Sequence, residues 1–371
     1  MSTPAKIVFA ITISLALAFG FIHLLIPDFA FDFDRLHIFL FNLCAGGSIL
    51  LFYATGQREI TWKNQVYFVI SLIYALTAFF EVYWATILVS LPLIAIVESV
   101  RIKRFSLLPF DFFRDVPTSD KFLQASLLCL SIGATMASAV VLNEEYLHVI
   151  HLEKLTMDVF FLGFSFPLSL LTFAVMYSQM KRRGTPLYNV LREVSFWSIN
   201  LGVITFFIFI IFKVLIAEMI ISNILFAAVI LTFVLFWRNA ESNQPKLLLA
   251  SGVGFLVITA ISGVVYLSNY LFPTLSEDQV QSFHHVLIVW HATVALYGWN
   301  LSGLFIIVRH GDFPVVKWVG LLIAFHWTTV MFLVPMGKFY PLVAPLALVA
   351  WITLIGIVFF TPPNNSKVQH S

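Results

Sequence analysis

The chain has 371 residues, of which 60% are hydrophobic and only 11% are charged, and its formal net charge is +2. A soluble domain of this length needs a larger share of polar surface, so the composition excludes one. The small positive excess is typical of loops that meet anionic lipid, and it does not indicate a nucleic-acid partner. We therefore predict that membrane lipid surrounds most of the chain.

Twelve apolar stretches are each long enough to cross the hydrocarbon core, which takes about 20 residues. The first is too long and too uniform for a cleaved signal peptide, so we expect a permanent helix there. We predict an all-α fold with a single transmembrane helical domain over 1–361 and a short polar cytoplasmic tail over 362–371. The predicted helices are 5–27, 36–56, 63–82, 83–100, 121–143, 155–178, 194–212, 215–236, 247–270, 283–308, 316–336 and 339–361.

The loops between these helices alternate in charge. Basic residues follow the even-numbered helices, whereas acidic residues dominate the other loops. Since cytoplasmic loops carry an excess of Lys and Arg, both termini are predicted to be cytoplasmic. The basic loops are 58–63, 101–121, 181–192, 238–246 and 309–317, and the acidic ones are 28–34, 144–153 and 277–278.

Histidines inside the membrane are the main candidates for chemistry, because imidazole is costly to bury in lipid without a partner. His37 opens the second helix from the outer side, and His284, His285 and His291 lie on the tenth, which runs in the same direction. Neutral imidazoles on two such helices could ligate a haem iron. His284 and His291 share a helix face, whereas His285 and His291 do not. Interfacial histidines that only form hydrogen bonds remain an equal alternative.

Four short segments resemble subunit I of the haem-copper oxidases, with the C-family cytochrome oxidases and the nitric-oxide reductases as the closest branches. They are Arg35-Leu36-His37 with Gly46-Gly47, Gly184-Thr185-Pro186-Leu187-Tyr188-Asn189 with Phe196-Trp197, the run from His291 to Gly298-Trp299, and His326-Trp327. The segment 184–189 resembles the loop that leads into helix 7 of that family. The resemblance implies a twelve-helix multi-pass protein of the cell inner (plasma) membrane, with a partner membrane subunit.

The resemblance also assigns roles to single residues. It places His37 at a low-spin haem ligand and His291 at the high-spin haem ligand. Thr293 stands where the family has the second low-spin ligand. The positions of the family's copper ligands fall near Thr156 and at Ile208 and Phe209, none of which can hold copper. We therefore expect no copper and no reduction of oxygen or nitric oxide.

Two interpretations remain open. The first is a degenerate haem-copper-oxidase subunit I-like membrane protein that binds haem b for electron transfer, gas sensing or haem handling. In it, His37 and His291 are the candidate iron ligands, and His284 or His285 bind the propionates or complete the coordination. The second is a haem-free polytopic transporter or membrane assembly partner. The expected sign of a transporter, matching helices broken by Gly or Pro, is not evident in the sequence.

Overall fold

The computed structural model describes residues 1–26, 31–56, 59–152, 161–181, 185–271 and 277–363. These residues form twelve helices, as predicted, and their sole β-pairing is an isolated bridge between Met180 and Ala240. In chain order the helices are α1 (Thr3–Leu25), α2 (Phe33–Ala54), α3 (Trp62–Phe79), α4 (Tyr83–Arg104), α5 (Thr118–Leu147), α6 (161–178), α7 (Pro186–Ile211), α8 (Leu215–Asn239), α9 (Gln244–Leu271), α10 (277–308), α11 (Val319–Phe339) and α12 (Ala344–Phe360).

Within the described residues, nine of these helices are long and apolar enough to cross a bilayer. The other three are α6 and α12, which are apolar but shorter, and α3, which begins with polar residues. In lipid a helix satisfies its own backbone hydrogen bonds, so an all-helical chain of this composition suits the bilayer. The protein is an all-helical, multi-pass membrane protein.

Several helices are longer than hydropathy predicts, because it reports only the part inside the hydrocarbon. The α7 helix begins at Pro186 instead of residue 194, and proline is favoured at a first helical position. The motif 186–189, which the resemblance places in a loop, is therefore the first turn of α7. The α4 helix continues to Arg104, so the loop between α4 and α5 covers only 105–117.

Close backbone contacts between the helices depend on glycine. A Cβ on Gly133 of α5 would lie 2.3 Å from the Cα of Gly163 of α6, so these two backbones touch. The Gly46-Gly47 pair packs on one side against Leu168 of α6 and on the other against Tyr67 of α3. Membrane helices associate through such small residues, which permit close packing.

Polar contacts join α1, α10 and α12 at the predicted cytoplasmic side. Lys6 Nζ lies 3.0 Å from a carboxylate oxygen of Asp312. The buried Arg309 donates to the carbonyls of Phe359 and Thr361 at 2.9 and 2.7 Å. Burial lowers the pKa of the Arg309 guanidinium from its ordinary value, and the nearby Asp312 opposes this effect. These contacts fix α10 beside α1 and α12.

Among the described residues, four helices contain a π-helical segment where they meet in the core, and a fifth segment, Asn143–Leu147, ends α5. The four in the core are Phe39–Gly46 in α2, Phe161–Ser165 in α6, Val294–Asn300 in α10 and Thr329–Leu333 in α11. A π-turn widens the helix and changes the direction in which side chains point, and such turns are frequent at functional sites. No feature of the sequence predicted them.

Candidate functional site

A cavity of about 400 Å³ lies between α2, α6, α7, α10 and α11. Its size is within the range of ligand pockets, roughly 300–1,000 Å³. Apolar side chains such as Ile38, Phe166, Val203, Phe207 and Leu296 form much of its wall. Its polar lining consists of Asp34, His37, Ser165, Ser169, His285, His291, Thr293, Tyr297, Asn300 and Lys338.

His291 is oriented by a short chain of hydrogen bonds to α9. The Ser262 hydroxyl donates its single proton to the Thr259 carbonyl at 2.8 Å. Ser262 Oγ therefore accepts from Nδ1 of His291, which lies 3.0 Å away. This arrangement leaves the Nε2 lone pair of His291 free. In the part of the chain that the structure describes, Nε2 has no hydrogen-bond partner, and the side chain lines the cavity.

His37 lines the same cavity, but both of its ring nitrogens are engaged. Nδ1 lies 2.8 Å from the Ala16 carbonyl of α1, so it carries the proton and donates it there. The Tyr297 hydroxyl lies 2.9 Å from Nδ1 and 3.2 Å from Nε2, so it lies over the side of the ring between the two nitrogens. The hydroxyl therefore crowds the approach of a ligand to Nε2 of His37. The environment of His37 therefore fits an iron atom less well than that of His291.

Tyr297 joins four helices and was not singled out by the sequence analysis. Besides the contact with His37 of α2, its carbonyl accepts from Nε2 of His326 of α11 at 2.8 Å. Its ring packs against Phe41 of α2 and Trp351 of α12, with centroids 5.1 and 4.6 Å apart. His326 thus joins α11 to α10.

The two adjacent histidines of α10 face different neighbours. His284 lies between the rings of Tyr266 and Tyr270 of α9, with centroids 4.5 and 4.6 Å away. It therefore faces α9, as His291 does, which agrees with their predicted common face. His285 instead lines the cavity and contacts the Phe339 ring of α11 at 5.6 Å. Of these two side chains, only that of His285 reaches the cavity.

An ion pair lies beside His37 and His285 in the cavity wall. Lys338, at the end of α11, is 3.1 Å from a carboxylate oxygen of Asp34 in the first turn of α2. The Lys338 side chain is 17% exposed and that of Asp34 is 57% exposed, so the pair lies at an opening of the cavity. This arrangement places one cationic group beside an otherwise mainly apolar space.

Another part of the cavity wall is polar but uncharged. Asn300 of α10 accepts from the Ser169 hydroxyl at 2.7 Å and donates to the Ser165 carbonyl at 3.2 Å. Asn42 of α2 donates to Ser165 Oγ at 2.9 Å, whereas its own Oδ1 has no partner among the described residues. Three of the π-helical segments meet here, since Asn42, Ser165 and Asn300 each belong to one of them.

The positions that the resemblance gives to copper ligands do not define a site. Ile208 is 44% exposed on the outer surface of α7, whereas Val203 and Phe207 of that helix line the cavity. Thr156 lies outside the described residues. Among the residues that are described, no three His, Cys, Asp or Glu side chains form a metal-binding group. A haem iron needs only one or two axial protein ligands, so this finding does not bear on haem.

Comparison with known proteins gives no further assignment. The chain matches no protein-family model, no curated protein and no solved structure. The resemblance to haem-copper oxidase subunit I therefore depends on the quoted motifs.

Proposed function

We propose that this protein binds haem b in the cavity between α2, α6, α7, α10 and α11, with Nε2 of His291 as the axial ligand. One observation carries the proposal. Nδ1 of His291 is held by Ser262, Nε2 has no hydrogen-bond partner among the described residues, and the side chain lines a cavity of about 400 Å³. Metal-binding histidines usually have their second nitrogen held by such a hydrogen bond.

The surroundings of the histidines support five-coordinate iron. His37 is capped by the Tyr297 hydroxyl, and Thr293 lines the cavity with a hydroxyl in place of an imidazole. His291 is then the single protein ligand, and His37 links α1, α2 and α10. A five-coordinate haem has an open position, which suits gas sensing or haem handling better than electron transfer.

The cavity opening supports a place for the haem propionates. Lys338 is a cation that a propionate can pair with in place of Asp34, and His285 lines the same space. His284 packs between two tyrosine rings away from this opening, so we assign the propionate role to His285 and not to His284.

The proposed scaffold is a degenerate relative of haem-copper oxidase subunit I that lacks copper and does not reduce oxygen or nitric oxide. The cavity residues of α7, Val203 and Phe207, support this proposal, because neither side chain can ligate copper. The alternative is a haem-free transporter or assembly partner. The hydrogen bonds of His37 and His326 favour it, since both histidines serve packing between helices.

Haem content separates the two functions. The parent protein, His291→Ala and His37→Ala are purified after expression with added haem precursor, and haem per protein is measured from the reduced pyridine complex. His310→Ala is the matched control, because His310 is exposed after the end of α10. We expect loss of haem in His291→Ala alone. A parent without haem supports the haem-free alternative, and full retention in His291→Ala refutes the ligand assignment.

The proposed location is the inner (plasma) membrane, with both termini in the cytoplasm and a partner membrane subunit. The charge alternation of the loops supports this orientation. Reporter fusions within 101–120 and 273–281 test it. The first is expected to report cytoplasm and the second the exterior. The same side for both fusions contradicts the orientation.

A further inference from the structure

The loop between α4 and α5, residues 105–117, exposes an unusual group of large apolar side chains. Leu107, Leu108, Phe110 and Phe113 are 66%, 56%, 55% and 78% exposed. A contiguous apolar patch of this kind marks an interaction site in a protein surrounded by water. The loop is not a flexible tail, since it joins two membrane helices.

The loop is held rigidly by two charged side chains. Arg101, buried in the last turn of α4, pairs with Glu98 at 2.6 Å and donates to the carbonyls of Ser106 and Leu107 at 3.1 and 2.9 Å. On the other side, the carboxylate of Asp111 accepts the Ser106 amide at 2.8 Å. The amide and hydroxyl of Ser106 hold the pKa of the Asp111 carboxyl below its usual range, so it stays ionised.

Seven of the thirteen carbonyls of the loop accept a hydrogen bond within the protein. Besides the two that accept from Arg101, they are the carbonyls of Leu108, Pro109, Asp111, Arg114 and Pro117, each of which accepts a backbone amide. A loop in water has no need of such pairing, because water satisfies its carbonyls. In lipid, each unsatisfied backbone group costs several kcal/mol. The pairing therefore suits a loop that is removed from water.

The contacts of the loop place it at the depth of the hydrocarbon boundary. Phe112 packs on Phe196 and Phe113 on Trp197 of α7, with centroids 5.5 and 5.2 Å apart. Phe196 lies about 15 Å along α7 from its first residue. It is also nearly one turn deeper than Glu193, whose carboxylate pairs with Lys121 at 2.8 Å. Phe112 and Phe113 thus lie on the membrane side of this polar pair.

We infer that residues 105–117 form a wedge inserted into the bilayer leaflet on the predicted cytoplasmic side, with its apolar side chains among the acyl chains of phospholipids. Within 105–117 the charged residues are Arg114, which pairs with Asp111, and the acids Asp111 and Asp115, so the charge of the loop selects no class of phospholipid. Lys103, exposed just before the loop, can meet a lipid phosphate group. The wedge is continuous with the surface of α7, whose exposed apolar residues face lipid.

Collision accessibility of a spin label tests the wedge directly. Cys44 and Cys129 are replaced by alanine, and single cysteines replace Leu108, Phe110 or Phe113. Each variant is labelled with a nitroxide in nanodiscs that contain phosphatidylglycerol. Relaxation by oxygen, which enriches in lipid, is compared with relaxation by a water-soluble nickel chelate. The lipid-facing control is Ile208→Cys, and the aqueous control is His310→Cys.

We expect the ratio of oxygen to nickel accessibility at the three loop positions to match Ile208→Cys and to exceed His310→Cys several-fold. A ratio equal to that of His310→Cys places the loop in water and overturns the inference. Low accessibility to both reagents places it in a protein interface and also overturns it. Three independent positions keep the test decisive if one variant misfolds, and no outcome depends on haem.

Discussion

Removal of the Ser262 hydroxyl tests how His291 is prepared for a ligand. Ser262 Oγ lies 3.0 Å from Nδ1 of His291 and is nearly buried, so Ser262→Ala leaves Nδ1 without this acceptor. Loss of such a partner typically lowers the affinity of a metal site about 10- to 100-fold. That factor corresponds to about 1.4–2.8 kcal/mol. We expect the dissociation constant for haem to rise by this factor.

The measurement is a titration of haem-free protein with haem b, followed by absorbance. Ser268→Ala is the matched control, because Ser268 is also on α9 and its hydroxyl bonds only within that helix, to Val264 at 2.8 Å. Its affinity is expected to equal that of the parent. Equal affinity in Ser262→Ala and the parent refutes the proposed role of the hydrogen bond, as does an equal loss in both variants.

Three further outcomes follow from the packing and polar contacts. Tyr297→Phe removes the hydroxyl that contacts His37 and should lower the free energy of unfolding by about 0.6–1.7 kcal/mol, as measured by thermal denaturation in detergent. Gly133→Ala forces two touching backbones apart and should cost about 1–3 kcal/mol in the same assay, whereas Gly356→Ala, with nothing within 4 Å, should cost much less. Because the pKa of Asp111 is lowered by folding, its contribution to stability is complete above an ordinary carboxyl pKa of about 3.9 and is lost as pH falls further. Asp111→Asn should reduce this loss of unfolding free energy at acid pH. The same loss in the variant and the parent contradicts the reasoning.

Hydropathy and charge were sufficient to predict the twelve helices, because each stretch that crosses lipid must be apolar along most of its length. They could not predict which side of a helix faces the core. In α2, for example, 89% of the residues in the membrane-spanning part are buried, so other helices cover it on nearly every side. The rotation of such a helix depends on its neighbours and not on its own pattern.

The candidate site shows the same limit at the level of single residues. His37 and His291 were found from their type and position, and both line one cavity. That Tyr297 caps one of them, and that Ser262 orients the other, depends on contacts between helices distant in sequence. The place of Tyr297 just before Gly298-Trp299 was the one signal that could have drawn attention to it. The π-helical segment Val294–Asn300, which contains Tyr297, has no sequence signature.

The iron–histidine stretching band of the ferrous, haem-loaded protein tests the central claim most directly. The resonance Raman spectrum is recorded for the parent and for His291→Gly, with and without added imidazole. The proposed ligation predicts the band in the parent, its loss in His291→Gly and its return with imidazole, which fills the space of the missing ring. A band that persists in His291→Gly without imidazole, or a parent that binds no haem, contradicts the account.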